Sequence, residues 1–313
     1  MKAALAYTVL AGQTCSVFCR GSADLKKILI LALAAAFALS LFILAGCEQD
    51  KSQIKEGDSM GGTRISFIDV GKGDCILLQT GGSAALIDTG YKDTSDEVLS
   101  YLQAQGVSHL DCLIITHHDR DHVGGLRAIG KALGIGTVYL PGYEGSDKNY
   151  QTVTSAVDDL GLNAQSVAEP LHLKLGDSDL DIFPSGVEYI PGSMGEEGND
   201  NDLSLVTTLT GDGGSYLFAG DLEEDGIAAF LEAGHGRFDV LKVPHHGEKS
   251  SNTDELLEAV RPQIAVITDS VDDPAAKKTL KLLDEIGADT FRTSTSGPIV
   301  VQNDAAGRYS VSG

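Results

Sequence analysis

The sequence predicts one α/β domain of four layers, αβ/βα, and three observations carry that reading. After residue 62, short apolar segments alternate with amphipathic stretches, in two successive halves that each run strands first and helices after. No linker parts the halves, so they share one core, and 313 residues are enough to build it. The apolar segments end repeatedly in an acid or a histidine, at Asp88, His117, Asp221 and His245, which gathers those side chains on one rim of a sheet.

Residues 1–46 read as a targeting segment outside the fold. Lys26-Lys27 precede an apolar run over 28–45 that closes in Leu44-Ala45-Gly46-Cys47, the pattern of a bacterial lipoprotein signal cut before a lipidated Cys47. The run is nearly long enough to span a bilayer, so a transmembrane anchor is the alternative. Either way the body of the protein is expected outside the cytoplasm, anchored to the bacterial cell membrane. Residues 1–24 stand upstream of a complete signal, which suggests a translation start near Leu25. Residues 47–62 are a polar tether, and 63–313 the domain. Cys75 and Cys112 sit in strand-like apolar runs and are expected as small buried hydrophobes, with no disulfide required.

In the domain, apolar segments at 65–70, 75–80 and 84–88 are separated by Gly71-Lys72-Gly73-Asp74 and Gly81-Gly82-Ser83, the punctuation of an antiparallel meander. Val98, Leu99 and Leu102 mark a helix over 93–105, and a strand at 110–115 follows. Helices are expected over 123–134 and 149–160, with a strand at 137–140 between them, stopped by Pro141-Gly142. Strands at 171–175 and 180–183 lead into a Gly/Pro/Ser-rich loop over 184–201. The second half reads as a hairpin of 203–210 and 216–219, then helices over 223–233, 252–260 and 274–286 alternating with strands at 239–243 and 263–268, then two closing strands. Lys72 and Asp74 are expected to shape a turn.

Chemistry concentrates in LDCLIITHHDRDHVGGL, residues 110–126. The strand delivers His117, His118, Asp119, Asp121 and His122 within six consecutive positions. Five such groups on one strand-to-helix turn would repel or strand buried charge unless a cation collected them, so the turn reads as a metal site. The formal net charge of −22 argues against a broadly basic nucleic-acid surface, and there is no Trp for base stacking.

These residues resemble the metallo-β-lactamase superfamily, whose first metal motif reads His-x-His-x-Asp-His; here Asp119 stands at the second histidine. With FIDVGKGDCILLQT, LIDTG, NDLSLV, FAGDLEEDG and VLKVPHHG, the chain is similar to the extracellular hydrolase domain of the competence protein ComEC, across nearly all of 64–303. The resemblance implies the four-layered metallo-β-lactamase sandwich and two divalent metal ions, Zn²⁺ or Mn²⁺. Asp121, His122 and His245 would bind one ion, His117 and Asp119 the other, and Asp221 would bridge them. Asp121 and His246 are the catalytic candidates, His246 to bind substrate or to protonate the leaving group. Asp88 would orient a ligating histidine, His118 would point away from the metals, and Ser204 belongs to the surrounding shell.

Three departures from that branch stand out. Asn199-Asp200-Asn201-Asp202-Leu203-Ser204 occupies the place of the third-motif histidine, which leaves the His117/Asp119 ion short of a ligand, with Asn201 or Asp202 as the candidate. Carboxylate in place of imidazole also hardens the site and admits Mn²⁺ beside Zn²⁺. Glu248 follows the His pair where serine is usual, and Asp272-Asp273-Pro274 replaces a His-Pro pair. The expectation is a metal-dependent hydrolase acting on a phosphodiester, DNA among the possible substrates. The alternatives are a lactam, lactone or thioester hydrolase, or a non-catalytic metal-binding surface lipoprotein.

Overall fold

The computed structural model describes residues 62–313 except 146, 191–199, 212–213 and 305; the signal segment, Cys47 and the tether up to residue 61 lie outside the described residues. The meander forms as β1 (Thr63–Phe67), β2 (Ile76–Thr80) and β3 (Ser83–Ile87), paired antiparallel in turn. Then α1 (Ser95–Ala104) crosses to β4 (His109–Ile114), the first of three strands, with β5 (Gly134–Pro141) and β6 (Ala164–Val167), that continue the sheet in parallel. Between β4 and β5 run α2 (Arg120–Val123) and α3 (Leu126–Ala132), and α4 (Lys148–Leu160) precedes β6.

The second sheet repeats the plan. β7 (Leu171–Leu175), β8 (Ser178–Phe183), β9 (Val206–Gly211) and β10 (Gly214–Phe218) pair antiparallel, and β11 (Val240–Lys242), β12 (Ile264–Ile267) and β13 (Asp289–Arg292) extend the sheet in parallel. The helices α5 (Glu224–Glu232), α6 (Thr253–Val260), α7 (Lys277–Ile286) and the short α8 (Thr293–Ser296) lie in this half. The chain closes by returning β14 (Ile299–Asn303) and β15 (Tyr309–Ser312) to the first sheet, where β14 pairs with β1. The sheet orders are β15-β14-β1-β2-β3-β4-β5-β6 and β13-β12-β11-β10-β9-β8-β7.

Strand parity builds the layers. Ile76 and Leu78 of β2 and Tyr216 and Phe218 of β10 face the core between the sheets, while Leu77 and Leu217 face outward. Val98, Leu102, Leu126, Ile129, Val153 and Ala156, from α1, α3 and α4, cover the outside of the first sheet. Ile227, Phe230, Leu256, Leu257, Val260 and Leu283, from α5 to α7, cover the second. Each large apolar side chain so buried contributes about 1.5–3 kcal/mol over leaving it exposed. The result is the four-layered αβ/βα sandwich that the alternation predicts.

Three details differ from expectation. The helix over 123–134 is divided into α2 and α3 at Gly124-Gly125, and only glycine fits there: a Cβ on Gly125 would lie 2.3 Å from the Thr89 carbonyl oxygen and one on Gly124 2.3 Å from the Lys92 nitrogen. The strand β6 was not expected; three of its four residues are exposed at the sheet edge and carry no alternation. Three closing strands stand where two were expected, β13 being only partly buried. Cys75 and Cys112 are buried free thiols. Among the described residues no helix is long and apolar enough to cross a membrane.

The parallel strands β3, β4, β10, β11 and β12 all finish at one rim. The residues just beyond them are Asp88, Thr116 to His122, Asp221, His245-His246 and Thr268-Asp269, so the topology alone assembles a polar site there.

Candidate metal centre

Asp88 organises the first half of this rim. It follows β3 in a left-handed conformation, φ 58°, which a short acid tolerates, and its carboxylate is fully buried. Oδ1 accepts from the Thr116 backbone N–H at 2.8 Å; Oδ2 accepts from the Thr116 hydroxyl at 2.8 Å and meets His122 Nδ1 at 2.8 Å. The ring of His122 is thereby fixed with Nε2 facing the cluster.

Two more rings are held the same way. His117 Nδ1 lies 3.0 Å from Thr116 Oγ1 and 3.3 Å from Ser204 Oγ. His246 Nδ1 lies 3.1 Å from Thr268 Oγ1, whose hydroxyl donates to Asp74 Oδ1 at 2.6 Å. The Nε2 atoms of His117, His122 and His246 are all buried, and none makes a hydrogen bond of good geometry; what they face is carboxylate oxygen. Three such nitrogens at one point, each ring held at its Nδ1 by a partner behind it, is the arrangement of metal-ligating histidines.

Carboxylates complete the cluster. Asp221 Oδ2 is 3.3 Å from His122 Nε2 and 2.9 Å from His246 Nε2, and Asp121 Oδ2 is 3.5 Å from His246 Nε2. Ligand atoms of His117, His122 and Asp221 lie within 4.8 Å of one another, as do those of Asp121, His122 and His246, and those of His117, Asp119 and Asp200. Asp221 Oδ1 is turned the other way, to the buried Lys242 ammonium at 3.1 Å, which also pairs with Asp74 at 2.5 Å and donates to the Gly220 carbonyl at 2.9 Å.

The electrostatics follow from this crowding. Burial drives the His117 ring well below its ordinary value, and neighbouring His122 adds to the effect. Burial opposes charge on His122 too, but Asp221 and Asp88 prevail and raise it; His246 is pushed up to about 9 against burial by Asp221 and Asp121. Asp221 is held far below the carboxylate range, its burial outweighed by His246, Lys242 and His122. On the other side, burial and the charges of Asp200 and Asp121 push Asp119 up to about 7, and burial brings Asp200 to about 6. Acids packed this closely resist ionising together, and a divalent cation would relieve them.

The structure revises the sequence expectations at two points. His246, rather than His245, turns its Nε2 into the cluster. Both histidines of the Pro244–Gly247 turn are left-handed, φ 47° for His245 and 51° for His246, and their rings meet edge-on, 6.1 Å between centroids, with His246 on the inner side. His245 Nδ1 instead pairs with Glu223 at 2.9 Å, and its Nε2 lies 3.5 Å from Asn201 Nδ2, at the half-exposed edge of the site. Asp202 is turned away from His117 and Asp119, and the Asn201 amide reaches the Glu223 side of the site. Asn201 donates to Glu223 at 3.2 Å, and Asp202 accepts from the Glu223 and Gly226 N–H groups at the start of α5, at 2.8 Å each. The neighbouring Asp200 takes that place, with Oδ2 accepting from the His118 N–H at 2.9 Å and from the Tyr143 hydroxyl.

His118 stands outside the cluster, its ring edge-on to Tyr143 and Tyr150 at 4.9 and 5.1 Å between centroids. Ser204 touches His117 and also accepts from the Asp221 N–H at 3.1 Å. Asp74, Lys242, Thr116, Thr268, Asp200 and Tyr143 were missed as site residues. Lys242 lies inside an otherwise apolar strand segment, where a buried charge is itself a signal of a partner, and Asp74, in the turn before β2, is that partner.

Residues 68–267 match the model of the metallo-beta-lactamase superfamily. The chain is 26% identical over 270 residues to ComE operon protein 3 of Bacillus subtilis, covering 79% of this chain and 34% of that protein. It is 31% identical over 210 residues to Recombination protein 2 of Haemophilus influenzae, covering 66% and 24%. The chain thus spans about a third or less of these relatives' length. Among solved structures, the metallo-beta-lactamase fold protein YhfI from Bacillus subtilis superposes with a TM-score of 0.51 at 11% identity, covering 76% of this chain and 98% of that one. A CmlA beta-hydroxylase does so with a TM-score of 0.51 at 14% identity, covering 74% and 52%. The fold, the rim of histidines and acids, and the match over most of the domain lead to one conclusion: the chain belongs to the metallo-β-lactamase superfamily, as a ComEC-like member with the fold of a metal-dependent hydrolase.

Proposed function

We propose that this protein is an exported, lipid-anchored phosphodiesterase that works with two divalent cations, Zn²⁺ or Mn²⁺. The observation that carries the reading is the convergence of three buried imidazoles, each held from behind at Nδ1, on the carboxylates of Asp119, Asp121 and Asp221. Asp121, His122 and His246 would hold one ion and His117, Asp119 and Asp200 the other, with Asp221 between them. When bound, such a pair supplies Lewis acidity toward phosphoryl oxygens and an activated water at neutral pH.

The chain's own residues do the positioning. Asp88, Thr268 and the pair Thr116/Ser204 fix the tautomers so that each ring offers Nε2. Lys242 and Asp74 lock one oxygen of Asp221 and leave the other facing the cluster. His245, held on Glu223 at the edge, is the group left to meet substrate and to pass a proton to the leaving oxygen. A phosphodiester substrate is supported by the relatives named for recombination and for the ComE operon, and by an acid-rich ligand set suited to hard cations. Export and lipidation at Cys47 belong to the same reading and rest on the sequence of residues 26–47.

The test is an activity panel on the full chain loaded with Mn²⁺ or Zn²⁺, using bis-p-nitrophenyl phosphate, nitrocefin and linear DNA. Turnover of a phosphodiester, abolished by chelation, is the expected result. Full metal occupancy with no phosphodiester turned over would overturn the proposal.

A further inference from the structure

Three loops meet at the edge of the site and are tied by one lysine. Lys72, between β1 and β2, pairs with the carboxylate of Glu248, two residues beyond His246, and with Asp273 Oδ2 at 2.7 Å, in the loop beyond β12. The loops are in register with the metal cluster. The Asp74 N–H donates to the Asp121 carbonyl at 3.2 Å, and a Cβ on Gly73 would stand 2.7 Å from that same oxygen. The Glu248 N–H donates to the His245 carbonyl at 2.8 Å, and the Ala276 N–H to the Gly247 carbonyl at 3.1 Å.

The bridge is half open to water: the Lys72 side chain is 20% exposed, Glu248 48% and Asp273 63%. As a stabilising contact such a bridge is worth little. Its effect lies in charge. One ammonium is consumed by two carboxylates, so this side of the rim carries an excess of negative charge. Across from it, the edge histidine His245 is itself paired with Glu223. Glu248 is close enough to His245 to act on its charge, so a phosphate at that edge would meet the same carboxylate.

We infer that the Lys72–Glu248–Asp273 bridge sets substrate size by charge: it withdraws the lysine from substrate phosphates, so the site takes a small ester with a single phosphodiester and turns away polynucleotides. This rests on the phosphodiesterase reading and narrows its substrate. A strand of DNA needs cations along its path, because each phosphate contact is gained by releasing counterions, and the lysine of this bridge is already held by two carboxylates. The chain's net charge of −22 acts in the same direction.

The experiment measures binding, so that it stands apart from turnover. A fluorescent twelve-nucleotide strand and a labelled dinucleotide are titrated onto the Mn²⁺-loaded full chain at low and high salt, and hydrolysis of bis-p-nitrophenyl phosphate is followed separately as the test of the parent reading. Wild type is expected to prefer the dinucleotide. Glu248→Ser with Asp273→Asn should shift the preference toward the longer strand by about tenfold at low salt, the gain fading as salt rises. Lys72→Gln, which leaves both carboxylates uncompensated, should shift it the opposite way. If the bridge only braced the loops, both variants would move in the same direction, and that result overturns the inference. So does a wild type that binds the longer strand more tightly than the dinucleotide.

Discussion

At the scale of single residues, the site is an arrangement of rings with their backs held. Asp88 is the clearest of the holders, fully buried and bonded at once to Thr116 and His122. Replacing it by Asn keeps the volume but removes the charge that fixes the His122 tautomer, and should lower metal affinity about 10- to 100-fold, read by competition with a chromophoric chelator. A change of less than about twofold would show that His122 does not depend on it. Which member of His245-His246 faces inward was not legible in the sequence. The two rings stay in edge contact, and only the left-handed turn decides which of them reaches the acids; no periodicity announces such a turn. Asp200 was hidden for a related reason: in a run of four Asn and Asp residues only the backbone path decides which one reaches the cluster.

At the scale of elements, the rim depends on close packing where helices and strands meet. Gly125 lies against the Thr89 carbonyl with no room for a methyl group. Gly125→Ala should push the loop after β3 away from the start of α3, destabilising the fold by about 1–3 kcal/mol in urea denaturation and lowering metal affinity with it. An unchanged midpoint would contradict the packing. Beyond β12, the buried Asp269 joins β13 through Arg292 Nε at 2.8 Å and accepts from the Ala275 N–H at 2.8 Å. Burial acts to raise Asp269, but Arg292 and the Ala275 N–H prevail and hold it below the ordinary carboxylate range.

A carboxyl depressed in the native state contributes stability that is fully present above its unfolded value, near ~4, and is lost as pH falls through the native one. Asp269→Asn should therefore cost about 3–5 kcal/mol at neutral pH, with the gap to wild type closing only below about pH 4. Thermal unfolding across pH 3–8 checks this; a gap that stays constant to pH 3 would remove the linkage. The alternating strands and amphipathic helices around these joints were readable because burial on one face imposes a period. The edge strand β6, exposed along most of its length, imposes none.

At the scale of the whole molecule, the four layers and the rim position follow from two halves of strands-then-helices, which is why the architecture could be read from residues 63–313 alone. The proposed lipid anchor is a separate matter of the residues before the fold. Cys47→Ser should abolish lipid attachment and leave the segment before residue 47 uncut, and the mass of the wild-type protein should show a mature N-terminus at Cys47 carrying lipid. A wild-type protein whose N-terminus lies upstream of residue 47 would exclude that processing.

The most direct measurement on the molecule as a whole is its metal content, taken by elemental analysis of the full chain after loading and desalting, for wild type, His246→Ala and His245→Ala. The result expected is two ions per chain in wild type and about one in His246→Ala. His245→Ala should keep both ions while losing phosphodiester turnover by about 100-fold or more, as loss of a proton donor requires. Wild type that retains no metal, or a loss of metal in His245→Ala with none in His246→Ala, would contradict the site as built from these residues.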